Sequence, residues 1–542
     1  MMGRFIGGEA GHRSFFGGNR GGPRTVGLLV MAGIGVFVMM FNGVPGLITG
    51  VAGCLLVYLV TMGTHRGSVL QRWVKRRRWN HRKSSGTDVF VPYTGLAMDE
   101  AKNRAGAAGT KNARNRILNA VRSRPDGADG MGWLRSTRRT AGIGWHLPVG
   151  EDPYLSVAFS VDGQLRGLAS AREQDEALTG FDRLLAGFAP DSMLVSGIET
   201  MTRILPPDLA LNEWWAQQHM DPAAPAAAVA SYEQVLARTG EGAFVQRHYV
   251  VVRWNLAAAF KAEAARYGHG RSGWRALMDQ EIATVTRELS RAHYRHPAAL
   301  TARQTVAVIL HQQNPSRPIQ SVRDVDVTGF GIASRDEWAA HVVESVDPAT
   351  GEAVAWWHRT AAITAEQMQT GERSQFWLLS LLIGAGAGIR TVSFKNELIP
   401  AAEAAVQAGR DLVKDISDQE AKADEGKLAD QHTTAGRRAA QIRRADLAPG
   451  TGIHGANWVG YVTVTARSRE ELHRASRRLA ETCANQAGIG RLEWMDTFQA
   501  AASGTTWPIF RGLAPAKKSI GSKAMDRLAG RAGNEEKVSA SR

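Results

Sequence analysis

The chain has 542 residues, with 66 lysines and arginines against 51 aspartates and glutamates, a formal net charge of +15, and only two cysteines. That length exceeds one small core, and two cysteines placed hundreds of residues apart (Cys54 and Cys483) exclude a disulfide-stapled scaffold and fit a reducing compartment. The charge is uneven: the first 83 residues hold twelve basic side chains and one acid, whereas residues 141–542 are close to neutral.

Residues 1–24 are rich in glycine and arginine and read as a flexible arm. From Thr25 to Thr64 there is no charged side chain, and Val26–Phe41 and Leu47–Met62 are almost wholly apolar. Asn42-Gly43-Val44-Pro45-Gly46 between them is turn chemistry. A bilayer span takes about 20 helical residues, so residues 25–64 predict a transmembrane helical hairpin. A buried helical pair in a soluble core is the alternative; a cleaved signal peptide would be shorter. Arg4, Arg13, Arg20 and Arg24 precede the hairpin, and a basic strip of Arg66, Arg72, Lys75, Arg76, Arg77, Arg78, Arg82 and Lys83 follows it. Basic flanks stay inside, which predicts a multi-pass protein of the inner (plasma) membrane with both termini cytoplasmic. The strip, with Trp73 and Trp79 at headgroup depth, is expected to meet anionic lipid at about 1 kcal/mol per residue. The same charges suit DNA.

Residues 65–150 read as a basic juxtamembrane region and linker, with short β-pieces from Trp133 to Pro148. A first α+β domain is expected over 151–330. Its strands are Tyr154–Val161, Ser192–Leu205 and Val245–Trp254. Its helices are Ala171–Phe188, Ala228–Thr239, Ser272–Tyr294 and Ala299–Gln313. A second α+β domain is expected over 331–512. It opens with a hairpin, Trp338–Ser345 and Glu352–Ile363, about Asp347–Gly351. A helix Glu372–Leu382 leads to a strand Arg390–Phe394, then to a long charged helix over 400–444. Trp458–Ala466 and Arg491–Trp494 are strands around a helix Arg469–Gly488 that Ser468 caps. Residues 513–542 read as a disordered basic tail. The fold class is α+β: a two-helix hairpin, two layered units of similar kind and a long helix, without a repeat of fixed period.

Motifs for chemistry are mostly missing. A phosphate-cradling loop needs Gly-Lys followed by Ser or Thr, and the single Gly-Lys pair, Gly426-Lys427, is followed by Leu428. Gly384–Gly388 precedes a strand instead of following one, the wrong order for a dinucleotide fingerprint. His293 and His296 lack a nearby acidic ligand, and Pro297 ends their helix. Trp356-Trp357-His358 suits strand packing. No nucleophile elbow is present. No catalytic, cofactor-binding or metal residue is assigned and no cofactor is expected, although a site built between the two units stays open.

The strand Tyr154–Gly163, the aromatic-rich strand with Tyr249-Val250-Val251-Val252, Thr463–Ala466 followed by Arg469-Glu470-Glu471-Leu472, and the closing Trp507-Pro508-Ile509-Phe510-Arg511-Gly512-Leu513 resemble the N-terminal region of CagE/TrbE/TraC-type conjugation ATPases. The hairpin with its basic flank resembles the PrgI-type inner-membrane proteins. Together they resemble membrane proteins of actinobacterial integrative conjugative elements, over roughly residues 20–515. The EccE family of type VII secretion, with two spans and a large soluble domain, is the competing resemblance. The first resemblance implies a non-enzymatic structural component of a conjugative type IV-like secretion apparatus. It implies a separate P-loop ATPase and other apparatus proteins as partners, an oligomeric complex, and no catalytic residue to carry over. A membrane-anchored DNA-binding protein is the further alternative.

Overall fold

The computed structural model describes residues 4–6, 22–61, 69–148, 152–164, 170–207, 215–216, 218–240, 244–319, 322–347, 351–369, 371–373, 377–384, 388–409, 413, 416, 431–448 and 450–513. The protein is a mixed α+β fold built on one fourteen-stranded sheet. Strand β1 (Arg4–Ile6) precedes a helical pair, α1 (Gly22–Asn42) and α2 (Val44–Thr61). The expected turn over 42–46 contracts to Gly43, whose φ of 56° suits glycine. Pro45 falls in the first turn of α2, where its missing N–H costs nothing.

Close approach of glycines lets the two helices pack. A Cβ on Gly35 would sit 2.6 Å from the Gly50 Cα, and one on Gly50 would sit 2.9 Å from the Gly35 Cα. Leu29, Val36, Phe37, Met40, Phe41, Ile48, Leu55 and Leu56 point outward and are exposed. Among the described residues no helix is long and apolar enough to cross a membrane; the side chains described are those of 27–41 and, apart from 47, of 43–60.

Helix α3 (Val69–Ser85) leads into β2 (Val89–Pro92), α4 (Gly95–Gly106), α5 (Lys111–Ala120), β3 (Val121–Arg122), β4 (Met131–Arg135) and β5 (Ile143–His146). The stretch expected to be mostly linker thus holds two helices, because Thr94 and Thr110 each cap one by accepting a backbone N–H. Next come β6 (Tyr154–Asp162), α6 (Ala171–Phe188), β7 (Val195–Leu205), α7 (Ala226–Gly240) and β8 (Val245–Asn255). They are followed by α8 (Ala258–Ala265), α9 (Gly270–Arg291), β9 (Arg295–Ala299) and α10 (Ala302–Gln313). The later part supplies β10 (Ser334–Glu337), β11 (Ala340–Val346), β12 (Ala353–Ile363), β13 (Gly371–Arg373) and β14 (Ile389–Ile399). It ends with α11 (Gln431–Asp446), β15 (Gly455–Ala466), α12 (Arg469–Asn485), β16 (Glu493–Trp494) and α13 (Gln499–Ser503).

Two expectations fail locally, and a third is described only in part. Residues 371–373 pair with β1 as a strand, and among the described residues of that region helix is found at Leu379 and in a π-helical turn at Ser380–Gly384. Residues 295–299, expected to join two helices, form β9 on the edge of β6, where Pro297 is tolerated. Of the long helix expected over 400–444, residues 401–409, 413, 416 and α11 are helical, and most of 410–430 lies outside the described residues. So are Arg66, residues 514–542, and all of the arm before Gly22 except 4–6.

The two expected units share one sheet. Its order is β3-β2-β10-β11-β12-β15-β14-β7-β8-β6-β5-β4, with β9 on β6 and β16 on β12. From the central β7–β14 pair outward, the halves match. In one, β8 lies between β6 and β7; in the other, β15 lies between β12 and β14. Each half then adds a helix, α9 or α12, and a short strand back onto its first strand. This is a split βαβ arrangement used twice.

One sheet face is apolar. Leu155, Val157, Phe159, Val250, Val252 and Trp254 pack there against α6 and α9, and Val462, Val464 and Ile363 pack against α12. Ser170 and Glu173 form a capping box that starts α6, and Ser468 caps α12. The opposite face carries polar residues at positions that are equally buried. At its centre Lys395 of β14 lies directly across from Glu199 of β7. Both side chains are fully buried; the Lys395 Nζ donates to Glu199 Oε1 at 2.8 Å and to the Thr505 carbonyl at 2.6 Å. Burial pushes the Glu199 carboxyl upward, against the pull of Lys395 and Ser393.

Removing one member of a buried ion pair strands the other without compensation. Lys395→Met is expected to destabilise the fold by about 3–5 kcal/mol, and Glu199→Met/Lys395→Met to recover most of that loss. Denaturant unfolding of the two variants checks this; equal losses in both would contradict it.

Candidate functional site: a basic helix and a polar inner layer

The basic strip forms α3, and the structure divides it into two parts. Arg72, Lys75, Arg76, Arg77, Arg78 and Lys83 are exposed, as is Trp73, over which the Arg77 guanidinium lies 5.4 Å from the ring centre. Trp79 and Arg82 turn inward. Trp79 meets Trp338 edge to face at 6.2 Å, and Arg82 is 7% exposed.

Arg82 is the pin that holds the helix to the body. Its guanidinium donates to Asp336 Oδ2 at 2.6 Å, the Thr497 carbonyl at 2.7 Å, Asp126 Oδ2 at 2.7 Å and the Thr87 carbonyl at 3.1 Å. It also lies 5.0 Å from the centre of the Phe498 ring. Asp336 is itself held by the Ala500 N–H at 2.7 Å. Burial raises the Asp336 carboxyl to about 7, although Arg82 pulls the other way. Arg82 is therefore structural and does not belong with the exposed cations. Sequence spacing carried a hint: Arg82 lies three residues beyond Trp79, on the same side of a helix.

The second feature, the polar inner sheet face, was not anticipated from sequence. Thr360, Thr463, Thr391, Arg203 and Arg247 stand in one register row across five strands. Helix α10, α13 and residues 504–513 cover this face. Thr360 and Thr463 share a hydroxyl hydrogen bond of 2.8 Å, and Thr463 makes another of 2.8 Å to Thr506. The closing Trp507–Phe510 segment is buried here, and Tyr154 Oη donates to the Ile509 carbonyl at 2.9 Å.

His341 and His358 face each other across β11 and β12, with ring centres 5.6 Å apart. The His358 Nε2 donates to the Gln313 carbonyl at 3.0 Å, so its Nδ1 accepts from Thr465 Oγ1 at 2.9 Å. Burial keeps the ring neutral, and the network then fixes its tautomer. Burial pushes His358 down to about 4 and His341 well below the ordinary histidine range; burial also lowers His146 and His311. The enclosed space beside these residues is about 10 Å³, room for a water-sized molecule and no substrate.

The other candidates resolve simply. Trp356 and His358 are buried on the polar face, and Trp357 packs on the apolar one. His296 is exposed and pairs with Asp162 at 2.9 Å. Among the described residues no group of three His, Cys, Asp or Glu side chains is placed to hold a metal ion. No protein family matches the chain, and no curated protein is similar to it.

Two outcomes are expected. Arg82→Ala leaves Asp336 buried without its partner and costs about 3–5 kcal/mol, whereas Arg76→Ala, on the exposed face, changes stability by about 0.5 kcal/mol or less; denaturant titration separates them. The depressed histidines bind fewer protons folded than unfolded. Their stabilisation is complete above pH about 6.5 and is lost as pH falls. For His358 the window down to about 4 is worth about 3 kcal/mol. Thermal unfolding between pH 7 and pH 5 should show a smaller decline in His358→Gln than in the wild type.

Proposed function

We propose that this protein is a non-enzymatic membrane platform of a conjugative, type IV-like secretion apparatus. In this reading α1–α2 is a hairpin in the inner membrane, both termini are cytoplasmic, and the large sheet docks a separate P-loop ATPase. The observation that carries the membrane part is the helical pair itself, whose outward side chains are apolar and exposed. Among the described residues no helix is long and apolar enough to cross a bilayer, but the uncharged sequence from Thr25 to Thr64 supplies about 20 residues for each of two helices. β1 pairs with β13 of the body and α3 is pinned to it by Arg82. Both flanks of the hairpin thus return to the same body, as a hairpin requires.

The platform part rests on the resemblance of the body to the N-terminal region of conjugation ATPases, together with the sequence's lack of a phosphate-binding loop. The exposed cations of α3 then sit where anionic headgroups begin. They also support a second reading, contact with DNA, because Arg72, Lys75, Arg76, Arg77 and Arg78 have no acidic partner among the described residues.

Alkaline carbonate extraction of membranes should leave the full chain in the pellet; release into the supernatant contradicts the anchor. Affinity purification from solubilised membranes should recover a P-loop ATPase of the conjugation type. Recovery of type VII core components instead would assign the chain to an EccE-like role. Salt-sensitive DNA binding by the solubilised full chain, lost when the five cations become glutamine, would favour the DNA reading.

A further inference from the structure

The polar face holds a charge arrangement that neither the fold nor the platform reading uses. Arg203 of β7 and Arg247 of β8 are direct partners in the antiparallel ladder, so their side chains share one face. Like charges directly opposite each other repel. Arg203 is 1% exposed, which makes the arrangement still less favourable. Its Nε and one amino group are buried without a hydrogen-bond partner, and so is the Nε of Arg247. Neither arginine has an ion-pair partner among the described residues. The charged groups felt by His311 of α10, which covers them, are Arg203, Arg247 and Arg317, all positive.

The contrast with the rest of the same face is informative. Lys395 is matched by Glu199, and Arg82 by two aspartates. Arg203 and Arg247, by contrast, gather two guanidiniums with no carboxylate partner among the described residues. Arg203 and Arg247 also flank the point where the chain leaves β7 at Leu205 and returns at Val245. Arg247 is half-buried, so its own side chain is partly open to solvent.

We infer that Arg203 and Arg247 form a binding site for an oxyanion of the phosphate type. Guanidinium N–H groups match the oxygens of phosphate better than any other side chain does. An anion between the two would turn their repulsion into a clamp and satisfy the stranded donors. The site is independent of the membrane anchor and of the exposed cations on α3.

The test uses the full chain in detergent, with thermal unfolding and calorimetric titration in sodium phosphate against sodium chloride at equal ionic strength. Phosphate should raise the unfolding midpoint saturably in the wild type. Arg247→Gln should weaken phosphate binding by about tenfold or more. Arg203→Met should abolish the phosphate response while being at least as stable as the wild type in chloride, because the repulsion is gone. A structural arginine would instead destabilise when removed. Adenosine monophosphate in place of phosphate distinguishes the source: tighter binding assigns a nucleotide, equal binding assigns phosphate alone. A wild type indifferent to phosphate and to the nucleotide, or an Arg247→Gln variant that responds as the wild type does, overturns the site.

Discussion

The antiparallel contact of β7 with β14 is the constraint on which the body depends. Without it there would be two smaller sheets, each with a naked edge strand of eleven residues. Edge strands of that length invite pairing with other chains. Here each covers the other, from Gly197 opposite Glu397 to Ile204 opposite Arg390. The buried Glu199–Lys395 pair lies within this contact. A slip of one residue would turn one of the two charges toward the apolar face, where α6, α9 and α12 pack, and leave the other buried alone. The ion pair thus fixes register more than it adds stability.

That constraint also organises the covering layer. Lys395 binds the Thr505 carbonyl, Thr463 binds Thr506, and Tyr154 binds the carbonyls of Ile509 and Phe510. The closing segment is therefore stitched to strands from both halves. Arg82 uses the same region from the other side, through Thr497 and Phe498. The helix after the apolar pair, the centre of the sheet and the last described residues form one connected polar structure.

Much of the local structure was legible. Ala171–Phe188 is a helix over the expected residues because its apolar spacing and the Ser170–Glu173 cap agree. Val245–Asn255 and Gly455–Ala466 are strands because β-branched and aromatic residues dominate both. The short strands β2, β3, β9, β10 and β13 carry little pattern of their own and exist because a neighbour presents an edge. The single sheet was illegible for a different reason: no local signal links residue 199 to residue 395. The clue was present as the polar breaks in the strand ending at Leu205. Glu199 and Arg203 weaken the strand pattern because they face a buried polar layer instead of water. For the basic strip, sequence supplied the charges, and only tertiary structure could separate Arg82 from its neighbours.

The placement of Arg82 has a consequence for the order of assembly. Its hydrogen-bond partners Asp336 and Thr497 lie 254 and 415 residues later in the chain. A ribosome adding about 5–20 residues per second needs roughly 20 to 80 seconds to cover the longer interval. The apolar pair leaves the ribosome first and can find its own surroundings long before the pocket for Arg82 exists. Docking of α3 is thus a late event in biogenesis. Until then the segment after the apolar pair behaves as a tether, and the sheet completes itself at the end of it.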